Sequence, residues 1–228
     1  MLPLNDTEPN RYGWLPFMTI GLILVNTAVL LAEPYLLRWY HLSYTEALYL
    51  FGSVPMWLTQ RQGGGALASL TSTFMHAGPV HLFGNMLFLW VYGRRVEDAC
   101  GPWRFLAFYL TCGLCADLLS TVVRLNDFIP SLGASGAVAG VMGAYLLLFP
   151  GGRIRTLIFL WFIPLTPKLR AFWLLFYFLG LQLLSVLFED PGDNVNYWAH
   201  LGGFFAGFLV FFFLRPEAFA RYFSDVPV

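Results

Sequence analysis

Apolar residues run along this chain in long blocks, with polar residues confined to short stretches between them. A helix needs about 20 mostly apolar residues to cross a bilayer. Six blocks reach or approach that length, at 14–32, 79–93, 104–123, 134–150, 170–188 and 197–214. The second is short and carries its polar residues at its beginning. A further apolar stretch, Ile154–Ile163, is too short to span and reads as an interfacial segment. Pro164 and Pro167 break it from the block that follows. The connection over 33–78 is not disordered in composition. It holds apolar clusters such as Leu48–Phe51 and a Gly63–Gly65 turn, so a structured lid or interfacial hairpin is expected there. The pattern predicts an all-α, polytopic membrane protein of six transmembrane helices with a structured first outer loop. Its parts are a short cytoplasmic segment over 1–13, one membrane domain over 14–214 and a short cytoplasmic tail over 215–228.

Composition supports lipid as the main solvent. Of 228 residues 58% are hydrophobic and 11% charged, against about 25% charged in soluble domains. The formal net charge is zero, so total charge names no partner, and no nucleic acid is implied. The distribution of cations is informative, because cytoplasmic loops carry the excess of Lys and Arg. With the N-terminus inside, the inner segments hold Arg11, Arg94, Arg95, Arg104, Arg153, Arg155, Lys168, Arg170, Arg215 and Arg221. The outer segments hold Arg38, Arg61 and Arg124, and the acidic loop with Glu189, Asp190 and Asp193 falls outside. The first dozen residues are polar and no cleavable signal peptide is expected. Cys112 and Cys115 lie in an apolar run and read as packing residues, and Cys100 leaves an odd count with no disulfide framework.

Polar residues inside spans are expensive and point to function. Here they gather at one level. Ser135 starts the fourth span, His200 lies near the start of the sixth, and His81 and Asn85 lie near the start of the second. In a six-span arrangement all four sit just below the outer surface. His81 and Asn85 are i and i+4 and share one helix face. His200, Gly203 and Gly207 share another, as do Ser135, Ala139 and Gly143. Small residues let membrane helices approach closely, which would bring Ser135 and His200 together. A serine hydroxyl attacks only when a base takes its proton, and histidine does this near neutral pH. His81, Asn85 and the backbone N–H of Ser135 are candidate donors to an oxyanion. No carboxylate is placed to orient His200, so the pair reads as a dyad. His76 and His81 lack a further ligand, and no metal site is expected. Asp117 has no evident partner, and Gln182 reads as an interhelical hydrogen-bond partner. Residues alone leave hydrolysis and transport both open.

Three motifs decide between them. Gly133-Ala134-Ser135-Gly136 resembles the G-x-S-G motif of the rhomboid intramembrane serine proteases. His81-x-x-x-Asn85 resembles the pair on their second helix, with His76 matching a histidine just upstream. Ala199-His200-x-x-Gly203-x-x-x-Gly207 is similar to their sixth helix. The resemblance covers about 14–214. It implies Ser135 as nucleophile, His200 as base, and His81, Asn85 and the backbone at Ala134 and Ser135 as oxyanion stabilisers. Gly136, Ala139, Gly143, Gly203 and Gly207 would be helix-packing positions. It implies a mobile fifth helix or adjoining outer loop as substrate gate, no cofactor, and transmembrane proteins in the lipid bilayer as substrates. Oligomeric state is not implied. The compact chain suggests a prokaryotic cell (inner) membrane, both termini cytoplasmic, with the site opening to the extracytoplasmic side.

Two departures stand out. Many rhomboids carry Trp-Arg in the first outer loop where this chain has Leu67 and Ala68. Many also stack an aromatic residue, four after the serine, on the catalytic histidine, and here that residue is Ala139. Neither removes a reacting group. The alternative to a protease is a catalytically inactive rhomboid-like protein that binds membrane-protein clients.

Overall fold

The computed structural model describes residues 1–8, 15–188 and 195–214, with side chains through 211. Helix α1 (Phe17–Trp39) is followed by three short helices in the first long connection, α2 (Tyr44–Phe51), α3 (Pro55–Thr59) and α4 (Gly65–Ser72). Helix α5 (Pro79–Phe88) passes through a single π turn at Leu89–Gly93 into α6 (Arg94–Cys100). Then come α7 (Pro102–Val123), α8 (Ser135–Leu148), α9 (Ala171–Leu187) and α10 (Tyr197–Leu214). Two of these, α1 and α7, are long and apolar enough to cross a membrane, and α8, α9 and α10 are shorter apolar helices. The first block thus extends past 32 to Trp39, with Pro34 inside it, and the second continues past 93 to Cys100.

The expectation of an all-α chain is corrected. Leu2–Asp6 (β1), Arg153–Leu160 (β2), Ile163–Leu165 (β3) and Lys168–Arg170 (β4) form a four-stranded sheet. Central β2 pairs antiparallel with β1, β3 and β4. The stretch read as interfacial, Ile154–Ile163, is therefore strand and hairpin turn, and the polar N-terminal segment is a strand packed on the domain. Alternating burial along β2 explains why: Ile154 and Thr156 are buried while Arg153 and Arg155 are exposed, the period of a strand with one face on a core.

Buried ion pairs lock this sheet to the helices. Arg94 and Arg95 donate to the Asp6 carboxylate at 2.6 and 2.7 Å, and the Tyr145 hydroxyl donates to it at 3.3 Å. Helix α1 has no cap of its own. Glu97 of α6 supplies one, accepting the N–H groups of Met18 and Thr19 at 2.9 and 2.8 Å. Those are first-turn donors that would otherwise be unpaired. The sheet, Arg94, Arg95 and the end of α8 all lie at one end of the bundle, so Ser135, at the start of α8, lies at the other.

Helix α8 is the centre of the domain, buried from Gly136 through Leu146. Helices α7 and α10 pack on it most extensively. The first connection folds onto α7 and onto the loop before α8. Ser53 and Ser131 exchange backbone hydrogen bonds at 2.9 and 2.7 Å, and Met56 N–H donates to the Asp127 carbonyl at 3.1 Å. The segment is thus helical and docked. The acidic loop carrying Glu189, Asp190 and Asp193, the cations Arg11, Arg215 and Arg221, and the tail over 215–228 lie outside the described residues.

Candidate active site

The site is built where α8 and α10 touch. A Cβ on Gly203 would stand 1.9 Å from the Gly136 carbonyl oxygen, and one on Gly207 would stand 1.9 Å from that of Gly140. A Cβ on Gly143 would stand 2.2 Å from the Phe204 carbonyl oxygen. Backbone therefore lies against backbone over two turns, the approach that only glycine permits between membrane helices. The seam on α8 is Gly136, Gly140 and Gly143. Ala139, expected on it with Ser135 and Gly143, is buried, and Gly140 joins the contact beside it. Gly203 and Gly207 make the contact from α10. Ser135 directly precedes Gly136, and His200 lies one turn before Gly203, beside Ala199, which itself faces Gly136. The two residues thus occupy the first turns of two helices in direct contact.

Ala134 is the residue at which α8 begins, and Ser135 is its first helical residue. First-turn N–H groups have no intrahelical acceptor, so the backbone here presents donors beside the Ser135 hydroxyl. Gly133 holds φ at +120°, a value that an L side chain rarely adopts. Its N–H donates to the Ser72 carbonyl at 2.9 Å. The space where a Gly133 side chain would project is taken by His81. A Cβ there would lie 3.0 Å from His81 Nε2 and 3.7 Å from Ser135 Oγ. His81 and Ser135 therefore face one small volume. His81 Nδ1 accepts the Ala77 N–H at 3.4 Å, which leaves the proton on Nε2, the nitrogen turned to that volume. Asn85 is buried, and its amide donates to the His81 carbonyl at 3.2 Å, along its own helix. His76 packs edge-on against His81 with centroids 5.1 Å apart.

His200 is held from the α9 side. Its Nδ1 lies 2.7 Å from Gln182 Oε1. An amide oxygen accepts, so Nδ1 carries the proton and Nε2 is left as acceptor. Phe178, one turn before Gln182, lies with its ring 6.2 Å from the imidazole, and Tyr197 approaches edge-on at 6.3 Å. Two aromatic rings thus flank His200, while Ala139 carries only a methyl group. Gln182 was legible as a hydrogen-bonding residue, but its partner was not.

Two residues were missed or left without a role. Asn196 caps α10: its Oδ1 accepts the Ala199 N–H at 3.0 Å, while its Nδ2 donates to Ser120 and Ser131, each at 2.7 Å. The signal was there, an asparagine directly before an apolar helix. Asp117 has a partner after all, accepting the Ser53 hydroxyl at 2.8 Å. It ties the first connection to α7 in a chain that lacks the Trp-Arg pair. Among the described residues no group of three or more His, Cys, Asp or Glu is placed to hold a metal ion. Cys112 packs against Gly140, where a Cβ would stand 2.6 Å from its sulfur.

The rhomboid domain family model matches residues 64–217. The chain is 32% identical over 152 residues to rhomboid protein 1, mitochondrial, of Saccharomyces cerevisiae, covering 63% of this chain and 40% of that protein. It is 38% identical over 146 residues to RHOMBOID-like protein 7 of Arabidopsis thaliana, covering 64% and 42%. It is 32% identical over 142 residues to the human presenilin-associated rhomboid-like protein, mitochondrial, covering 59% and 34%. The matches thus span less than half the length of these relatives. They overturn the expectation of a prokaryotic cell membrane, since two of these three relatives are mitochondrial by name. The family match, the helical domain and the three motifs share one conclusion: this chain is a polytopic membrane protein of the rhomboid family.

Proposed function

We propose that this chain is an intramembrane serine endopeptidase that cuts transmembrane proteins through Ser135 and His200, within a six-span domain over about 14–214. The observation that carries the reading is the glycine seam, which brings the first turns of α8 and α10 into contact, with His200 Nδ1 bonded to Gln182. His200 Nε2 takes the proton of Ser135 Oγ as that oxygen attacks the scissile carbonyl carbon. The carbonyl oxygen becomes an oxyanion, received by the N–H groups of Ala134 and Ser135 and by His81 Nε2–H. Asn85 joins them once its amide leaves the His81 carbonyl. His200 then gives its proton to the leaving amine, and the C–N bond breaks. A water, deprotonated by His200, attacks the acyl carbon, and His200 returns that proton to Ser135 Oγ as the ester C–O bond breaks and the new carboxyl end is released. Gln182 fixes the ring and its tautomer throughout.

The substrate follows from the surroundings. A peptide carbonyl in a transmembrane helix is already hydrogen-bonded, and in lipid that bond resists opening. Segments with small residues before the cut and helix-breaking residues after it would unwind most readily into the site. The α9 helix exposes much of its surface and touches the seam mainly through α10, so it is the element that would move to admit them.

The decisive test is labelling by a fluorophosphonate, which reacts only with an activated serine. The purified protein in detergent is compared with Ser135→Ala and His200→Ala. Labelling that requires both residues is expected. A folded wild-type protein that fails to label would overturn the proposal and favour the inactive, client-binding relative.

A further inference from the structure

The β2–β3 hairpin carries two features that a water-exposed hairpin would avoid. Its turn is Trp161–Phe162, between the paired residues Leu160 and Ile163. Two-residue hairpin turns favour Gly, Asn and Asp, because they require positive φ. Trp161 adopts φ of +58°, a conformation that is costly for a bulky side chain. Yet both turn positions are large aromatics, and they are 88% and 94% exposed. Phe159, Leu160 and Ile163 extend the exposed apolar run on either side. Aromatic side chains at that tip are accounted for if it does not face water.

At the base of the same strand the charges are also unusual. Arg153 stands opposite Arg170, and Arg155 opposite Lys168. All four are exposed and share one face of the sheet. Like charges directly opposite are destabilising. Asp6 of the paired strand β1 holds Arg94 and Arg95 instead, and Glu97 caps α1. Among the described residues none of the four cations forms a salt bridge. Two facing pairs of cations in this spacing call for anions between them.

We propose that this hairpin is a membrane anchor, with Trp161 and Phe162 inserted in the leaflet at the sheet end of the bundle and the Arg153–Arg170 and Arg155–Lys168 pairs binding phosphates of anionic phospholipids. One occupant satisfies both ends of the motif: a headgroup carries the negative charge and its acyl chains receive the aromatics. Tryptophan at the tip fits the interfacial preference of its ring. The anchor lies on the strand that joins α8 to α9, so it fixes the membrane depth of the segment leading into the helix that carries Gln182. The proposal does not depend on the protein being a protease.

The test uses the full chain reconstituted in phosphatidylcholine vesicles containing bromine-labelled phosphatidylcholine or bromine-labelled phosphatidylglycerol. Emission of Trp161 is read as the difference between wild type and Trp161→Phe. Trp161 is expected to be quenched by both lipids, and several-fold more strongly per mole by the glycerol lipid. The fourfold variant R153Q/R155Q/K168Q/R170Q should abolish that preference while keeping its helical circular dichroism. Water-like, unquenched Trp161 emission would overturn insertion. Equal quenching by the two lipids, or a preference that survives in the fourfold variant, would overturn the phosphate site.

Discussion

Gln182 Oε1 stands 2.7 Å from His200 Nδ1 across the interface of α9 and α10. In the proposed dyad this bond takes the place of the carboxylate that orients histidine in a triad, and it comes from a neutral amide. The ring gains a fixed tautomer without gaining a buried charge that lipid would penalise. Because the acceptor sits on α9, any movement of that helix away from α10 would also release the His200 ring.

Replacing Gln182 with Leu should therefore lower kcat by about tenfold, with KM little changed. The loss corresponds to about 1–3 kcal/mol for a buried polar atom left unpaired. Single-turnover cleavage of a reconstituted substrate measures it, together with an unfolding midpoint. A fall in stability with kcat intact would assign Gln182 to packing alone.

The glycine seam should tolerate no added methyl. Gly203→Ala places a carbon 1.9 Å from the Gly136 carbonyl oxygen, and helices α8 and α10 must separate. Destabilisation of about 1–3 kcal/mol is expected from overpacking, with loss of fluorophosphonate labelling. Gly180→Ala is the control, since nothing lies within 4 Å of that position. It should be neutral or stabilising by up to about 1 kcal/mol. Thermal unfolding in detergent reads both.

Asp117→Ala removes the acceptor of the Ser53 hydroxyl and should loosen the first connection from α7. A loss of about 1–3 kcal/mol is expected, with faster proteolysis between Tyr44 and Ser72. If proteolysis is unchanged, the backbone pairing of Ser53 with Ser131 is sufficient to hold the segment.

Burial, and after it the His81 ring, pushes His76 down to about 4 from 6.5. The unfolded chain takes up a proton near pH 6.5, while the folded protein resists until about pH 4. The contribution is complete above 6.5 and is lost as pH falls through that window. His76→Phe should flatten the pH dependence of the unfolding midpoint between those values. An unchanged slope would assign it to another group.

The sequence and the structure agree where lipid dictates the pattern. Residues that face acyl chains must be apolar on all sides, so the long blocks could be located from hydropathy, and the polar residues at their starts stood out. Agreement fails where another force sets the conformation. Ile154–Ile163 is apolar in either a helix or a strand, and only its pairing with Leu2–Asp6 and Lys168–Arg170 makes it a sheet. The phase of Ser135, Ala139 and Gly143 does not single out Gly140, yet a Cβ on Gly207 would meet its carbonyl oxygen. Asp117 and Ser53 are 64 residues apart in sequence, a separation that no local pattern bridges.

The π turn at Leu89–Gly93 solves a problem of phase. An α-helix advances about 100° per residue, and one extra residue in a turn rotates everything beyond it by about that angle. His81 and Asn85 lie before the turn, while Arg94, Arg95 and Glu97 lie after it. One continuous rod thus aims the His81 imidazole at one neighbour and its ion-pairing residues at another. A single-residue deletion between Leu89 and Gly93 would return the rod to regular winding. It would swing one of these two sets out of alignment without changing any residue in either.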